Sequence, residues 1–169
     1  MIKLKITALS YLLLCLLLSS CGFHLRGLLA LPPNFQHVYL VLPSNGHSFE
    51  IKLKEQLQAY HVKSAESAQH AAYQIVIDSL NYTRQISNIS SSTTPRQFQL
   101  TYTVDYHLVD EHGVTLIPAR QLISNRLVSM NSERLLGSNY EEEFFKSEME
   151  QELASQILTS INYYFNQTL

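Results

Sequence analysis

Gln97-Phe98-Gln99-Leu100-Thr101-Tyr102-Thr103-Val104-Asp105-Tyr106-His107-Leu108-Val109-Asp110 decides the fold class. Phe98, Leu100, Tyr102, Val104, Tyr106 and Leu108 share one parity. Gln97, Gln99, Thr101, Thr103, Asp105 and His107 share the other. A period of two describes a strand with one buried face and one wet face, the habit of antiparallel sheets. Asp110-Glu111-His112-Gly113 reads as a hairpin turn, so Val114 to Met130 is expected to return beside this strand. On the return, Ile117, Ala119, Ile123 and Leu127 share a parity and are expected inside. Pro118 interrupts it and has no N–H to offer a ladder, which points to an edge position or a bulge.

Upstream, Ala72 to Ile89 is a third long strand. Tyr73, Ile75 and Ile77 alternate with Gln74, Val76 and Asp78, and the apolar parity then shifts to Leu80 and Tyr82. One extra residue makes that shift, so a bulge or bend is expected near Ser79, and Ser79 and Pro118 are candidates for the same bend. Ser90 to Pro95 has loop composition. His37 to Leu42 is a short, nearly continuous apolar strand, stopped by Pro43-Ser44-Asn45-Gly46. Between Ser48 and about Tyr60 the period lengthens, with Phe49, Leu53, Leu57 and Tyr60 on one helical face. His61 to Ala65 is a short edge strand or a connection. Ser138 and Glu141 fit a capping box, and Phe145, Met149, Leu153, Ile157 and Ile161 recur every four residues. Phe144, Ala154, Leu158 and Tyr164 widen that stripe, giving one long helix over about 139–165. The glutamates 141–143 then fall in its first turn, where the helix dipole favours them. The expected architecture is α+β, with two helices on one face of a mainly antiparallel, about four-stranded sheet.

The N-terminal segment has a different use. Lys3 and Lys5 precede an apolar run from Ile6 to Leu18, too short for a bilayer, and small residues follow. Residues 1–20 are expected to be a cleaved signal peptide, 21–33 a lipidated N-terminus and short tether, and 34–169 one domain. Cys15 leaves with the signal, so Cys21 is the lone cysteine of an exported chain and has no disulfide partner. Leu18-Ser19-Ser20-Cys21 resembles the bacterial lipobox, which implies diacylglycerol on the Cys21 thiol and an acyl chain such as palmitate on its amine. Anchoring by two or more chains is stable at about 0.8 kcal/mol per buried CH₂. Gly22 is not the aspartate that tends to retain lipoproteins in the inner membrane, so the outer membrane is expected. Gly27 to Pro33 spans at most about 25 Å, which keeps the domain close to its anchor.

Removal of Lys3 and Lys5 lowers Lys+Arg from 12 to 10 against 14 Asp+Glu, a net −4 with histidine neutral. Bulk charge therefore excludes a basic nucleic-acid binder. Gly-x-Ser-x-Gly is absent, and five scattered glycines supply no phosphate loop. His107, Glu111 and His112 lack the spacing of a metal site and read as solvated surface residues. No catalytic residue, metal or cofactor beyond the covalent lipid is expected, and the chain reads as no enzyme. Tyr82 and Tyr163-Tyr164-Phe165 suit core packing or a protein interface. Arg84, Arg96, Arg120 and Arg126 fall in or beside the long strands, as isolated charges or as a cluster able to meet phosphates.

Cys21-Gly22-Phe23-His24-Leu25-Arg26-Gly27 resembles the mature N-terminus of the LptE family, the lipopolysaccharide-assembly lipoproteins once called rare lipoprotein B. The element order is similar to that family's two helices on a mainly four-stranded sheet. The resemblance implies a partner, the outer-membrane β-barrel LptD, in whose lumen family members sit as a plug. It implies passage of lipopolysaccharide to the outer leaflet and direct binding through basic residues toward one end of the sheet. Arg84, Arg96 and Arg126 are the candidates here for that lipopolysaccharide contact. Two other readings stay open, a lipoprotein of another envelope machine (barrel assembly or lipid shuttling) and a lipid-anchored hydrolase.

Overall fold

The computed structural model describes residues 31–33, 35–88, 96–130 and 135–167, with backbone alone for 88, 96, 130 and 135–139. The signal segment, Cys21, most of the tether and the loop 90–95 lie outside the described residues.

The chain runs β1 (His37–Val41), α1 (His47–Ala59), β2 (Lys63–Ser64), a 3₁₀ turn (Ala68–His70), β3 (Tyr73–Asn88), β4 (Arg96–Asp110), β5 (Thr115–Met130) and α2 (Leu135–Gln167). The sheet order is β2-β1-β3-β4-β5. β3, β4 and β5 form an antiparallel meander, whereas β1 runs parallel to both β2 and β3. The sheet is thus five-stranded and mixed, where about four mainly antiparallel strands were expected. The additional strand, two residues long and at the edge of the sheet, is the short edge strand that His61 to Ala65 allowed.

β4 obeys its alternation throughout: Phe98, Leu100, Tyr102, Val104, Tyr106 and Leu108 are all buried. Both helices cover that face. α1 contributes Phe49, Leu53 and Leu57 to the core, and α2 contributes Met149, Leu153, Ala154, Ile157, Leu158 and Ile161. Each large aliphatic buried this way stabilises the fold by about 1.5–3 kcal/mol. α1 ends as His61 takes φ +59°, with His61 N–H bonding Gln58 O and Val62 N–H bonding Leu57 O at 2.9 Å each. These bonds satisfy the last carbonyls of the helix.

The expected bend is present. Ile77 pairs Tyr106 and Ser79 pairs Asp105, leaving Asp78 as the extra residue of β3. On the other side of β4, Tyr106 pairs Arg120 and Leu108 pairs Ile117, so β5 is irregular at Pro118. Both irregularities therefore fall on the Asp105–Leu108 segment, and β5 is also the sheet edge. A second shift follows between Leu108 and Val109.

Those shifts overturn the expected parity of β5. Beyond them the residues opposite the buried side of β4 are Arg120, Leu122, Ser124, Arg126 and Val128. Ile117 is buried as expected, but Ala119 is exposed, and Ile123 and Leu127 are 49% and 58% exposed on the outer face. α2 also starts a full turn before position 139, which rules out Ser138 as its N-cap. Gly137 lies inside the helix; a glycine there costs about 1 kcal/mol, and adding a turn to a nucleated helix is otherwise cheap. The glutamates 141–143 consequently sit in the second turn. Phe144 does not widen the buried stripe, being 58% exposed.

The hairpin turn forms as read. Asp110 Oδ1 accepts the N–H groups of His112 (2.9 Å) and Val114 (2.8 Å), and Gly113 adopts φ +78°, a conformation that favours glycine.

Candidate functional site

The register places two of the three candidate arginines in one row. Arg84 pairs Leu100 on β3, and Arg126 pairs Leu100 on β5. Both point toward the helices, with one strand between them and backbones about 10 Å apart. Arg96 opens β4 at the same end of the sheet, opposite Met130, and its side chain lies outside the described residues. This far end is opposite the Asp110–Gly113 hairpin.

Both described arginines are held by acids of α2. Arg84 Nη1 donates to Glu142 Oε2, and its guanidinium lies 4.5 Å over the Phe98 ring. Tyr82 donates its hydroxyl to the other oxygen of Glu142 at 3.0 Å. Burial, first, and then the Glu142 carboxylate push the Tyr82 phenol well above its ordinary range. Arg126 reaches Glu148 and Glu152 at 3.5 Å each, and Ser124 donates to Glu152 at 2.9 Å. Half-exposed pairs of this kind contribute about 1 kcal/mol or less, so a phosphate can compete for the guanidinium. Arg120, on the same face near the hairpin end, donates to Ser160 at 3.3 Å and stands apart from the row.

Beside Arg126 opens a cleft of 770 Å³ between β5 and the first turns of α2. Arg126, Val128, Tyr140, Glu141, Phe144 and Phe145 are among the residues that line it. Tyr140 is 78% exposed, and Phe144 meets Phe145 edge-on at 5.7 Å. An open apolar cleft bordered by a guanidinium suits an amphiphile that carries both acyl chains and an anionic head.

In the sequence Glu142 reads only as a first-turn acid and Phe144 and Phe145 only as core stripe, while Glu148, Glu152 and Tyr140 are not singled out. Glu148 and Glu152 do share a helix face at i,i+4, the one signal available. Glu150 was also missed. It is 1% exposed, accepting from Ser48 Oγ at 2.6 Å and from Tyr102 OH at 3.1 Å. His107 bonds Asp78 at 2.9 Å across the bend, and His112 lies beside Glu111 in the turn. Among the described residues, no three His, Cys, Asp or Glu side chains gather to hold a metal.

Several solved structures share this fold. A minor lipoprotein from Acinetobacter baumannii is similar over 76% of this chain and 92% of its own, at 22% identity and a TM-score of 0.64. A lipoprotein B from Nitrosomonas europaea is similar over 86% and 93%, at 26% identity and a TM-score of 0.70. The rare lipoprotein B from Shewanella oneidensis is similar over 79% and 98%, at 16% identity and a TM-score of 0.66. No curated protein sequence matches the chain. A family model described as lipopolysaccharide assembly matches residues 35–161, most of the chain and nearly all of the described fold. With that match, the chain belongs to the LptE family of lipopolysaccharide assembly.

Proposed function

We propose that this protein is an outer-membrane lipoprotein, anchored by lipid on Cys21, that plugs an LptD-type β-barrel and helps pass lipopolysaccharide to the outer leaflet. The observation that carries the reading is the far end of the sheet, where Arg84 and Arg126 flank Leu100 beside an open apolar cleft. Guanidinium groups match the phosphates of the glycolipid, and the cleft matches its acyl chains. Arg96, at the same end, is the third candidate.

The outer face of the sheet supports the plug. Gln99, Thr101, Thr103, Asn125 and Gln121 lie on it, linked by Thr101–Asn125 at 2.8 Å and Gln121–Asp105 at 3.0 Å. A face of this kind suits the polar lumen of a barrel. No helix among the described residues is long and apolar enough to cross a membrane, so attachment in this reading rests on the lipid.

The test is affinity purification from detergent-solubilised outer membrane. A large barrel protein is expected to co-purify with the parent chain. Cys21→Ser is expected to leave the membrane fraction. The Arg84→Ala/Arg126→Ala double variant is expected to bind lipopolysaccharide about tenfold more weakly or worse, as loss of charge-assisted bonds implies. A chain that purifies without a barrel ends the plug reading. Depletion that spares surface lipopolysaccharide while another envelope process fails favours a different machine.

A further inference from the structure

A second pocket lies at the hairpin end, far from the arginine row. It has a volume of 450 Å³ and lies between the end of α2 and the β4–β5 turn. Its walls are Tyr73, Tyr164 and Phe165, with Leu116 as floor and Asp110 and Glu111 at its mouth. Tyr73 and Phe165 meet edge-on at 5.3 Å, as do Tyr164 and Phe165 at 5.4 Å. Phe35 backs both, at 5.2 Å from Tyr73 and 5.8 Å from Phe165.

The pocket carries two acids, Asp110 and Glu111, and the His112 imidazole also lines it. Tyr73 pairs Asp110 in the register. Burial, and then the charges of Asp110 and Glu111, push the Tyr73 phenol above its ordinary range, so both carboxylates act on this space. Asp110 commits Oδ1 to the turn. Among the described residues neither acid has a lysine or arginine partner; the His112 ring lies 3.8 Å from Glu111. Elsewhere Glu50, Glu55, Glu142, Glu148 and Glu152 all have one. Among the described residues the 33-residue helix α2 ends here, with no basic residue in its last turn to offset the negative end of its dipole. Aromatic rings, carboxylates without a lysine or arginine partner and a helix C-terminus all attract a cation. The aromatic walls favour a weakly hydrated organic cation over a small metal ion.

We propose that this pocket binds an organic ammonium group. Two sources share that chemistry, the ethanolamine headgroup of a phospholipid and a free amine. Phe35 ties the pocket to the chain just after residues 31–33. Ten residue-to-residue steps lead from Cys21 to Leu31 and reach at most about 35 Å. A lipid on Cys21 would therefore put the pocket near headgroups; a free amine needs no such anchor.

The test is an NMR titration of the full chain, reading the amides of Glu111 and Leu116 and the Tyr73 ring. The probes are ethanolamine hydrochloride, sodium chloride at matched ionic strength, and vesicles of phosphatidylglycerol with or without phosphatidylethanolamine. Ethanolamine is expected to move these signals saturably, and sodium is not. Glu111→Gln and Tyr164→Leu are each expected to weaken the effect about fivefold, the weight of one partly exposed cation contact. Glu111 sits in an exposed turn and holds no other element, so its variant keeps the fold. A response to the phosphatidylethanolamine vesicles alone identifies a headgroup site; a response to free ethanolamine alone identifies a soluble amine. Equal shifts with sodium, silence with both forms of ethanolamine, or unchanged affinity in both Glu111→Gln and Tyr164→Leu would overturn the proposal. None of these outcomes depends on a barrel partner or on Arg84 and Arg126.

Discussion

Glu150 is a buried carboxylate that no cation neutralises among the described residues, and replacing it tests how the layers are held together. Its oxygens accept from Ser48 on α1 and Tyr102 on β4, so one side chain of α2 joins both helices and the sheet. Tyr102 is buried, lies near-parallel to Phe49 at 6.3 Å and tilts against Tyr82 at 5.9 Å, so its hydroxyl has little room to find another acceptor. In Glu150→Ala that hydroxyl is left unpaired, at about 1–3 kcal/mol, and the Ser48 hydroxyl turns to water at smaller cost. Lost methylene packing adds about 1 kcal/mol. Relief from holding a charge in the interior offsets part of this. The expected net loss is about 2 kcal/mol. Glu150→Gln keeps the shape and can serve both hydroxyls, so it should cost about half as much. The chain has no tryptophan, so far-UV circular dichroism in urea is the measurement. At a slope of about 2 kcal/mol per molar urea, the midpoint of Glu150→Ala should fall by about 1 M. Tyr102→Phe combined with Glu150→Ala should show about 1–2 kcal/mol of coupling. A midpoint within error of the parent, or additive effects in the double variant, would refute the reasoning.

Alkaline titration should expose the same buried phenols: Tyr73, Tyr82, Tyr102 and Tyr106 all sit above the ordinary value of 10.0 in the fold, mainly through burial. Since the unfolded chain ionises first, their contribution is whole below pH 10.0 and is lost as pH rises toward the folded values; Tyr102→Phe should flatten that fall, followed by tyrosinate absorbance. Arg126→Ala should cost about 1 kcal/mol or less and its effect should shrink in high salt, because both its acids are half-exposed. Deleting Asp78 removes the extra residue that lets both halves of β3 face the core, so the deletion should lose about 3 kcal/mol or more by urea unfolding. Asp78→Ala keeps the register and loses only the His107 bond, about 1 kcal/mol.

The meander was legible because β4 carries its pattern without a break and β3 announces its bulge by a visible change of parity. β5 misled for a related reason. Its two irregularities lie within Thr115–Arg120, too close together for alternation on either side to show them. Ile123 and Leu127 looked like core, and Ser124 like surface, although Ser124 is buried and bonded to Glu152. The start of α2 was misplaced because Gly137-Ser138 is stop-and-start punctuation, and a long cooperative helix ran through it. The arginines were found as candidates, but their row was not, since it exists only through the register of three strands. Glu150 left one trace: a charge four residues before Ala154, inside the apolar stripe.

The cleft has a geometric origin in element lengths. β3 and β5 are 16 residues each, about 50 Å of sheet, and α2 at 33 residues is about as long. α1 has 13 residues and covers only about 20 Å, at the hairpin end. There two helices lie over the strands, and Phe49, Leu53, Leu57, Met149, Leu153, Ile157 and Ile161 form a closed core. At the far end α2 alone faces three strands, and a helix about 10 Å wide cannot cover all of them. Apolar side chains in the uncovered positions would be left in water. Arg84 and Arg126 stand there instead: the Arg84 guanidinium lies over the Phe98 ring and reaches Glu142, and Arg126 reaches Glu148 and Glu152. One-helix coverage therefore produces the open space that Arg126 lines. A second helix over the far end would fill the cleft and bury both guanidinium groups. The shortness of α1 is thus what leaves this end of the sheet open.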